Sequence, residues 1–158
     1  MTTANVVFSS PAEEVKPLIR EAKIATGETL VGGSLVQLTS DGEWEAHDTA
    51  DVGGDIYIMD MDTIGQKAVT AALTVGQSSP AFIPQVGYAY NMILAASQTI
   101  TKGTSLASNG DGSLKAAATD GSSEALFVAD EDLTTTGATA RIKARYNPTG
   151  VSNHTDPA

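Results

Sequence analysis

Apolar and polar residues alternate strictly through residues 138–146, with Ala138, Ala140, Ile142, Ala144 and Tyr146 on one side and Thr139, Arg141, Lys143 and Arg145 on the other. A strand with one buried face has this period of two, so the segment predicts a strand that hides the first set and exposes a basic stripe. Two further segments, 56–59 (IYIM) and 126–129 (LFVA), are continuously apolar over strand length and end in acidic turns. They predict strands covered on both faces. Residues 84–94 (PQVGYAYNMIL) also have strand character. Residues 67–75 (KAVTAALTV) suit either a strand or a short helix, and Gly76, Pro80 and Pro84 predict a long irregular connection around them.

Sliding the sequence against itself by 70 positions brings residues 29–62 over 99–132 without a gap. Identities fall at Thr29/Thr99, Gly33/Gly103, Asp41/Asp111, Gly42/Gly112, Ala46/Ala116, Thr49/Thr119, Asp60/Asp130 and Asp62/Asp132. Conservative pairs include Leu30/Ile100, Trp44/Leu114, Ile56/Leu126, Tyr57/Phe127 and Ile58/Val128, and Ile24-Ala25 lies over Leu94-Ala95. The shared Asp-Gly dipeptides sit between strand-like runs, where a tight hairpin needs a residue with positive φ. A Gly- and Thr-rich composition raises chance self-similarity. Turns and apolar strands that stay in phase over the whole register nevertheless favour two copies of a strand-turn-strand unit. Such copies are expected to pair their strands into one barrel or sandwich, leaving few open edges.

The chain of 158 residues fits one domain, which at this size buries roughly 68–70% of the unfolded surface. With aromatics at 5%, its core must rest on Val, Ile and Leu with small partners, which favours a thin sandwich or barrel. The expected organisation is an extended arm over 1–17, one β domain over 18–146, and a flexible tail over 147–158. Within the domain, the first unit spans about 24–62, a connection 63–93, the second unit about 94–132, and the closing strand 138–146. Ser9-Ser10-Pro11 and Pro17 make a regular central strand improbable in the arm. A short, marginal helix over 11–16, capped by Ser10, is the alternative there.

Charge and residue inventory narrow the chemistry. The formal net charge of −10 disfavours nucleic acid as a partner, because phosphate binding needs clustered Lys and Arg. There is no Cys, hence neither a disulfide framework nor a thiolate metal site. The start carries no basic segment followed by a long apolar run, so synthesis in the cytoplasm and no membrane partner are expected. The only histidines, His47 and His154, are read as surface residues, too few for a multi-His site. Asp60-Met61-Asp62 and Asp130-Glu131-Asp132 offer oxygen ligands for a hard cation, but neither follows an EF-hand pattern, and solvated strand ends are the default. The glycines form no phosphate-binding fingerprint. No cofactor and no catalytic group is expected. Trp44, over Leu114 in the self-alignment, is read as core, the alternative being a sugar-stacking platform with Tyr57, Tyr88 and Tyr90. The basic stripe is either a solvated outer face or a surface for an acidic partner.

Residues Ala25-Thr26-Gly27-Glu28-Thr29-Leu30, Gly33-Ser34-Leu35-Val36-Gln37-Leu38 and the Asp-Gly turn before Trp44 resemble the modules of capsid decoration (cement) proteins of tailed bacteriophages. The resemblance covers roughly residues 18–146, and it rests on strand and turn style rather than on an invariant motif. It implies a β-barrel or β-tulip body on the capsid surface of the virion, bound to the major capsid protein as a homo-oligomer, with a trimer favoured. Contact residues are then expected in the arm (Val6, Val7, Phe8, Pro11), in the connection (Pro80, Phe82, Pro84) and on the basic stripe (Arg141, Lys143, Arg145). A head-fibre base, a tail subunit, a glycan-binding β module and a β-clip enzyme are the competing readings.

Overall fold

The computed structural model describes Val7 and residues 17–61 and 68–148, and every regular element among them is a strand. The first sheet is built from β1 (Ile19–Lys23), β2 (Leu35–Leu38), β3 (Trp44–Ala46), β4 (Tyr57–Met59) and β5 (Ser78–Phe82), in the order β1-β5-β4-β2-β3. All its neighbours are antiparallel. A single parallel bridge between Ile24 and Trp44 ties its two ends together. β2 and β3 form the hairpin expected at Asp41-Gly42, where Gly42 has φ +77° and Thr39 and Glu43 bond across the turn at 2.8 Å.

The second half closes fully. The strands β6 (Ala89–Leu94), β8 (Ser105–Ser108), β9 (Leu114–Ala116), β10 (Phe127–Ala129) and β12 (Ala140–Tyr146) form a barrel in the circular order β10-β12-β6-β9-β8. The parallel pair Leu94–Leu114 completes the circle. β7 (Thr99–Ile100) and β11 (Leu133–Thr134) make a separate two-stranded ladder. Along β12 the pattern reads as the alternation predicts, with Ile142 and Ala144 buried and Lys143 and Arg145 exposed.

Two cores follow from the faces of these strands. Ile24, Leu30, Val36, Trp44, Tyr57, Met59, Leu73 and Ala81 fill the first sheet's own curl. Leu35, Ile56, Ile58 and Phe82, on the opposite face of that sheet, join Tyr90, Met92, Leu94, Leu106, Phe127 and Ile142 of the barrel in a second, shared core. This explains the continuous apolar run of β4. Tyr57 and Met59 point into one core and the intervening Ile58 into the other, so no position of the strand meets water.

Three expectations need correction. The strands of the two halves do not join into one barrel: each half pairs its own strands, and the halves meet face to face through the shared core. The connection is not irregular throughout, because β5 lies inside it between β1 and β4 despite Pro80. In an antiparallel ladder Pro80 and Asp60 would exchange two bonds, and Pro80 can only accept one, from the Asp60 N–H at 3.1 Å. β4 ends at Met59, where the missing donor is not needed. Residues 68–75 are neither strand nor helix, yet Val69 and Leu73 are buried. Their apolar spacing serves a loop that covers the sheet, held by the Leu73 N–H on the Leu30 carbonyl at 2.8 Å.

Candidate functional site

Polar and ionisable side chains concentrate where the two halves meet. β3 ends at Ala46, and the chain leaves the first sheet through His47 toward the barrel. The His47 N–H donates to the Leu35 carbonyl at 3.0 Å, and the His47 carbonyl accepts from Gly112 at 3.3 Å. Its ring is 2% exposed, with Nδ1 at 2.8 Å from Ser108 Oγ and Nε2 at 3.0 Å from the Gly53 carbonyl oxygen. A carbonyl can only accept, so Nε2 carries a proton, and in the neutral ring the Ser108 hydroxyl then donates to Nδ1. Ser108 Oγ in turn accepts from the Gly110 N–H at 3.1 Å.

Around His47 the crossing loop is tied down by charge. Asp51, in the left-handed region at φ 64°, donates its N–H to the Ser108 carbonyl at 3.0 Å. Its carboxylate takes Lys115 Nζ at 2.7 Å and the Ser123 hydroxyl. Those hydrogen bonds, Lys115 first and Ser123 next, hold the Asp51 carboxyl below its ordinary value. Glu124 Oε2 accepts the Gly53 N–H at 2.7 Å. On the other flank Arg141 donates from Nη2 to the Val69 carbonyl at 2.7 Å, and burial lowers the pKa of its guanidinium.

A serine hydroxyl bonded to a histidine ring is the geometry of an activated nucleophile. Here Ser108 is wholly buried, its oxygen accepts a second bond, and the far ring nitrogen meets a backbone carbonyl instead of a carboxylate. The pair joins the barrel strand β8 to the loop from the first sheet. Replacing His47 by Ala removes both ring bonds and strands the Ser108 hydroxyl and the Gly53 carbonyl. Each buried unsatisfied group costs about 1–3 kcal/mol, so His47→Ala is expected to lose at least about 2 kcal/mol in urea denaturation, with Asn a partial rescue.

The Asp51 carboxylate gives a pH signature. A depressed folded-state value means that its contribution is complete above the ordinary 3.8 and is lost as the pH falls through the lower folded-state value. Asp51→Asn is therefore expected to lower the melting temperature at neutral pH, with the gap to wild type closing below pH 3.8. Melting curves from neutral to acid pH check this.

The sequence-predicted residues separate into groups. Val7 and Phe82, expected as contacts, are buried in the shared core at 1% and 5% exposure, and the Val7 carbonyl accepts the Asn91 N–H at 2.6 Å. Both side chains are large and apolar, and the first sheet's second face requires a cover. Pro80 and Pro84 are half-buried. The basic stripe is broken: Arg141 turns inward to Val69, Arg145 pairs with Asp130 at 2.7 Å, and Lys143 is exposed. Val6, Phe8, Pro11, Asp62 and His154 lie outside the described residues.

Trp44 is core as expected, while Tyr57 and Tyr90 are buried too, so three of the four rings a sugar platform would need are covered. Among the described residues, no three His, Cys, Asp or Glu side chains gather into a metal cluster, and no helix is long and apolar enough to cross a membrane. Asp132 accepts the Lys102 N–H at 2.7 Å, and burial pushes the Asp60 carboxyl up. His47 corrects the surface reading. Period-two alternation from Trp44 would turn it outward, but the strand stops one residue earlier, and no sequence signal marks that stop. In comparisons with known proteins, no family model matches the chain and no curated protein aligns with it.

Proposed function

We propose that the chain is a structural virion subunit, a decoration protein that binds the outside of a tailed-phage capsid through the major capsid protein and stabilises the shell. With it we propose that the two halves are copies of one unit. The strands β1, β2, β3 and β4 correspond to β6, β8, β9 and β10 at an offset of 70, and the bridges Ile24–Trp44 and Leu94–Leu114 fall at the same offset. Beyond β4 the offset shortens to 63, because Phe82 opposes Ile19 and Ile58 as Arg145 opposes Ala89 and Val128. The first copy thus carries a longer loop before its last strand.

The observation that carries a structural role is the engagement of the central polar groups. His47, Asp51, Lys115, Glu124 and Arg141 all hold one half against the other. A rigid two-unit body of this kind suits a subunit that must keep its shape under load from the shell. The capsid itself as partner rests on the resemblance of the strand and turn modules. Undecorated expanded heads from a panel of tailed phages, incubated with the protein and pelleted, test it. Co-sedimentation with a raised temperature of DNA release is expected, and failure to bind every head overturns it.

A further inference from the structure

The internal junction is built from two contacts. From the first unit, the Gly33 carbonyl accepts the Ile93 N–H at 3.2 Å on the edge of β6, beside Asn91, which is held by Val7. From the second unit, the Gly112 turn seats on Leu35 and Ala46, with the Leu35 N–H on the Gly112 carbonyl at 2.8 Å. Each of these positions has a counterpart elsewhere on the molecule, 70 residues away.

The counterpart of the β6 edge is β1. Leu18, Arg20, Ala22 and Ile24 turn their backbones to β5, as the Ile83–Leu18 and Ile24–Gln77 bonds show, so Ile19, Glu21 and Lys23 turn theirs away from it. Apart from β3, whose Trp44 bridges Ile24 at the end of β1, no strand among the described residues pairs with that side of β1. Its side chains are uncovered: Ile19 is 52% exposed where its counterpart Ala89 is 6% exposed, and Leu18 is 55% exposed. The counterpart of Gly33 is Gly103, also at positive φ, exposed, with open space around it. The counterpart of the seated Gly112 turn is the Asp41-Gly42 turn, likewise exposed. The molecule therefore presents a head face (β1 edge and Gly42 turn) and a tail face (Gly103 loop, Ser105 and Ala117).

We infer that a second copy of this chain occupies the β1 edge, its Gly103 loop lying on Lys23 and Glu21 as Gly33 lies on Ile93 within one chain. The contact is head-to-tail, so repetition closes a ring or extends a filament. A ring is expected, since exposed sheet edges are otherwise hazards of aggregation. Charge is mixed on both faces: Glu21, Lys23, Asp41 and Glu45 belong to the head, and Lys102 and Arg145, the latter paired with Asp130, to the tail. The contact between copies is more polar than the internal one. Ser105, Val128 and Arg145 stand where Leu35, Ile58 and Phe82 fill the shared core, and Gly121 and Glu45 stand where Asp51 and Lys115 form their ion pair.

This contact rests on the equivalence of the two units and not on capsid binding, so a monomer that still binds heads overturns the contact alone. Light scattering on size-exclusion eluates tests it with two variants, Ile19→Asp on the head and Ala117→Glu on the tail. Wild type is expected as an oligomer and each variant as a monomer with an unchanged circular dichroism spectrum. An equimolar mixture of the two is expected to form dimers and stop there, because one intact head meets one intact tail. A monomeric wild type, or a mixture that stays monomeric while both variants are folded, overturns the head-to-tail contact.

Discussion

Trp44→Ala is expected to be the most damaging single substitution in the first unit, lowering stability by about 3–5 kcal/mol from lost packing alone. The indole is wholly buried in the core of the first sheet and meets Tyr57 edge-on at 4.9 Å between ring centroids. Its Nε1–H donates to the Ser79 carbonyl at 2.8 Å. It also sits at the seam, where its backbone bridges Ile24 and its carbonyl accepts the Ala25 N–H at 2.9 Å. Truncation therefore opens a cavity and leaves the Ser79 carbonyl unpaired, a further penalty of about 1–3 kcal/mol. Against a total of about 5–15 kcal/mol for a domain, such a loss leaves the first unit close to unfolding. Trp44→Phe keeps most of the volume and removes the indole donor, so it should recover most of the packing part. Urea denaturation followed by circular dichroism reads both, since the only tryptophan is lost in each variant. A loss under about 1 kcal/mol for Ala would refute this account of the core.

Much of the fold is legible in the residues because local rules and tertiary demands agree there. The Asp41-Gly42 and Asp111-Gly112 turns, the double-faced run at β4 and the alternation along β12 arise from nearest-neighbour geometry, whereas the equally apolar run at β10 leaves Val128 half-buried. Which strands pair is a different matter. β5 is placed between β1 and β4 by partners far away in sequence, and a proline that marks a break locally is harmless where its neighbour strand has ended. The junction is harder still. Leu35, Ile58 and Phe82 look like ordinary core residues, and nothing in their spacing tells that they face the barrel rather than their own sheet's curl. His47 and Arg141 look like surface residues for the same reason: their partners, Ser108, Gly53 and Val69, are supplied by contacts that alternation cannot describe.

Gly33→Ala and Gly103→Ala place the same methyl group at positions that the proposed repeat makes equivalent, and their difference is expected to isolate the junction. Both glycines have positive φ, +86° and +93°, where an L-residue carries a strain of about 1–2 kcal/mol. Around Gly103 an added Cβ meets nothing within 4 Å, so strain is the whole effect on the isolated chain. At Gly33 the same Cβ would stand 2.4 Å from the Asn91 carbonyl oxygen and 2.7 Å from Arg141 Nη1. The oxygen belongs to the backbone of β6 and cannot swing aside, so the two units must separate locally. Overpacking of this kind adds about 1–3 kcal/mol. The displaced Gly33 carbonyl then loses the Ile93 N–H, and Arg141 loses its alignment on Val69. Gly33→Ala should accordingly be the less stable of the two by at least about 1 kcal/mol in urea denaturation, measured where wild type is monomeric. Raising the protein concentration should bring out the second difference. On the proposed head-to-tail contact, Gly103→Ala is expected to weaken association between copies, because its methyl would meet the β1 edge of the next chain as that of Gly33→Ala meets β6 within one chain. Equal stabilities for the two variants would show that the Gly33 loop does not bear on β6 in solution.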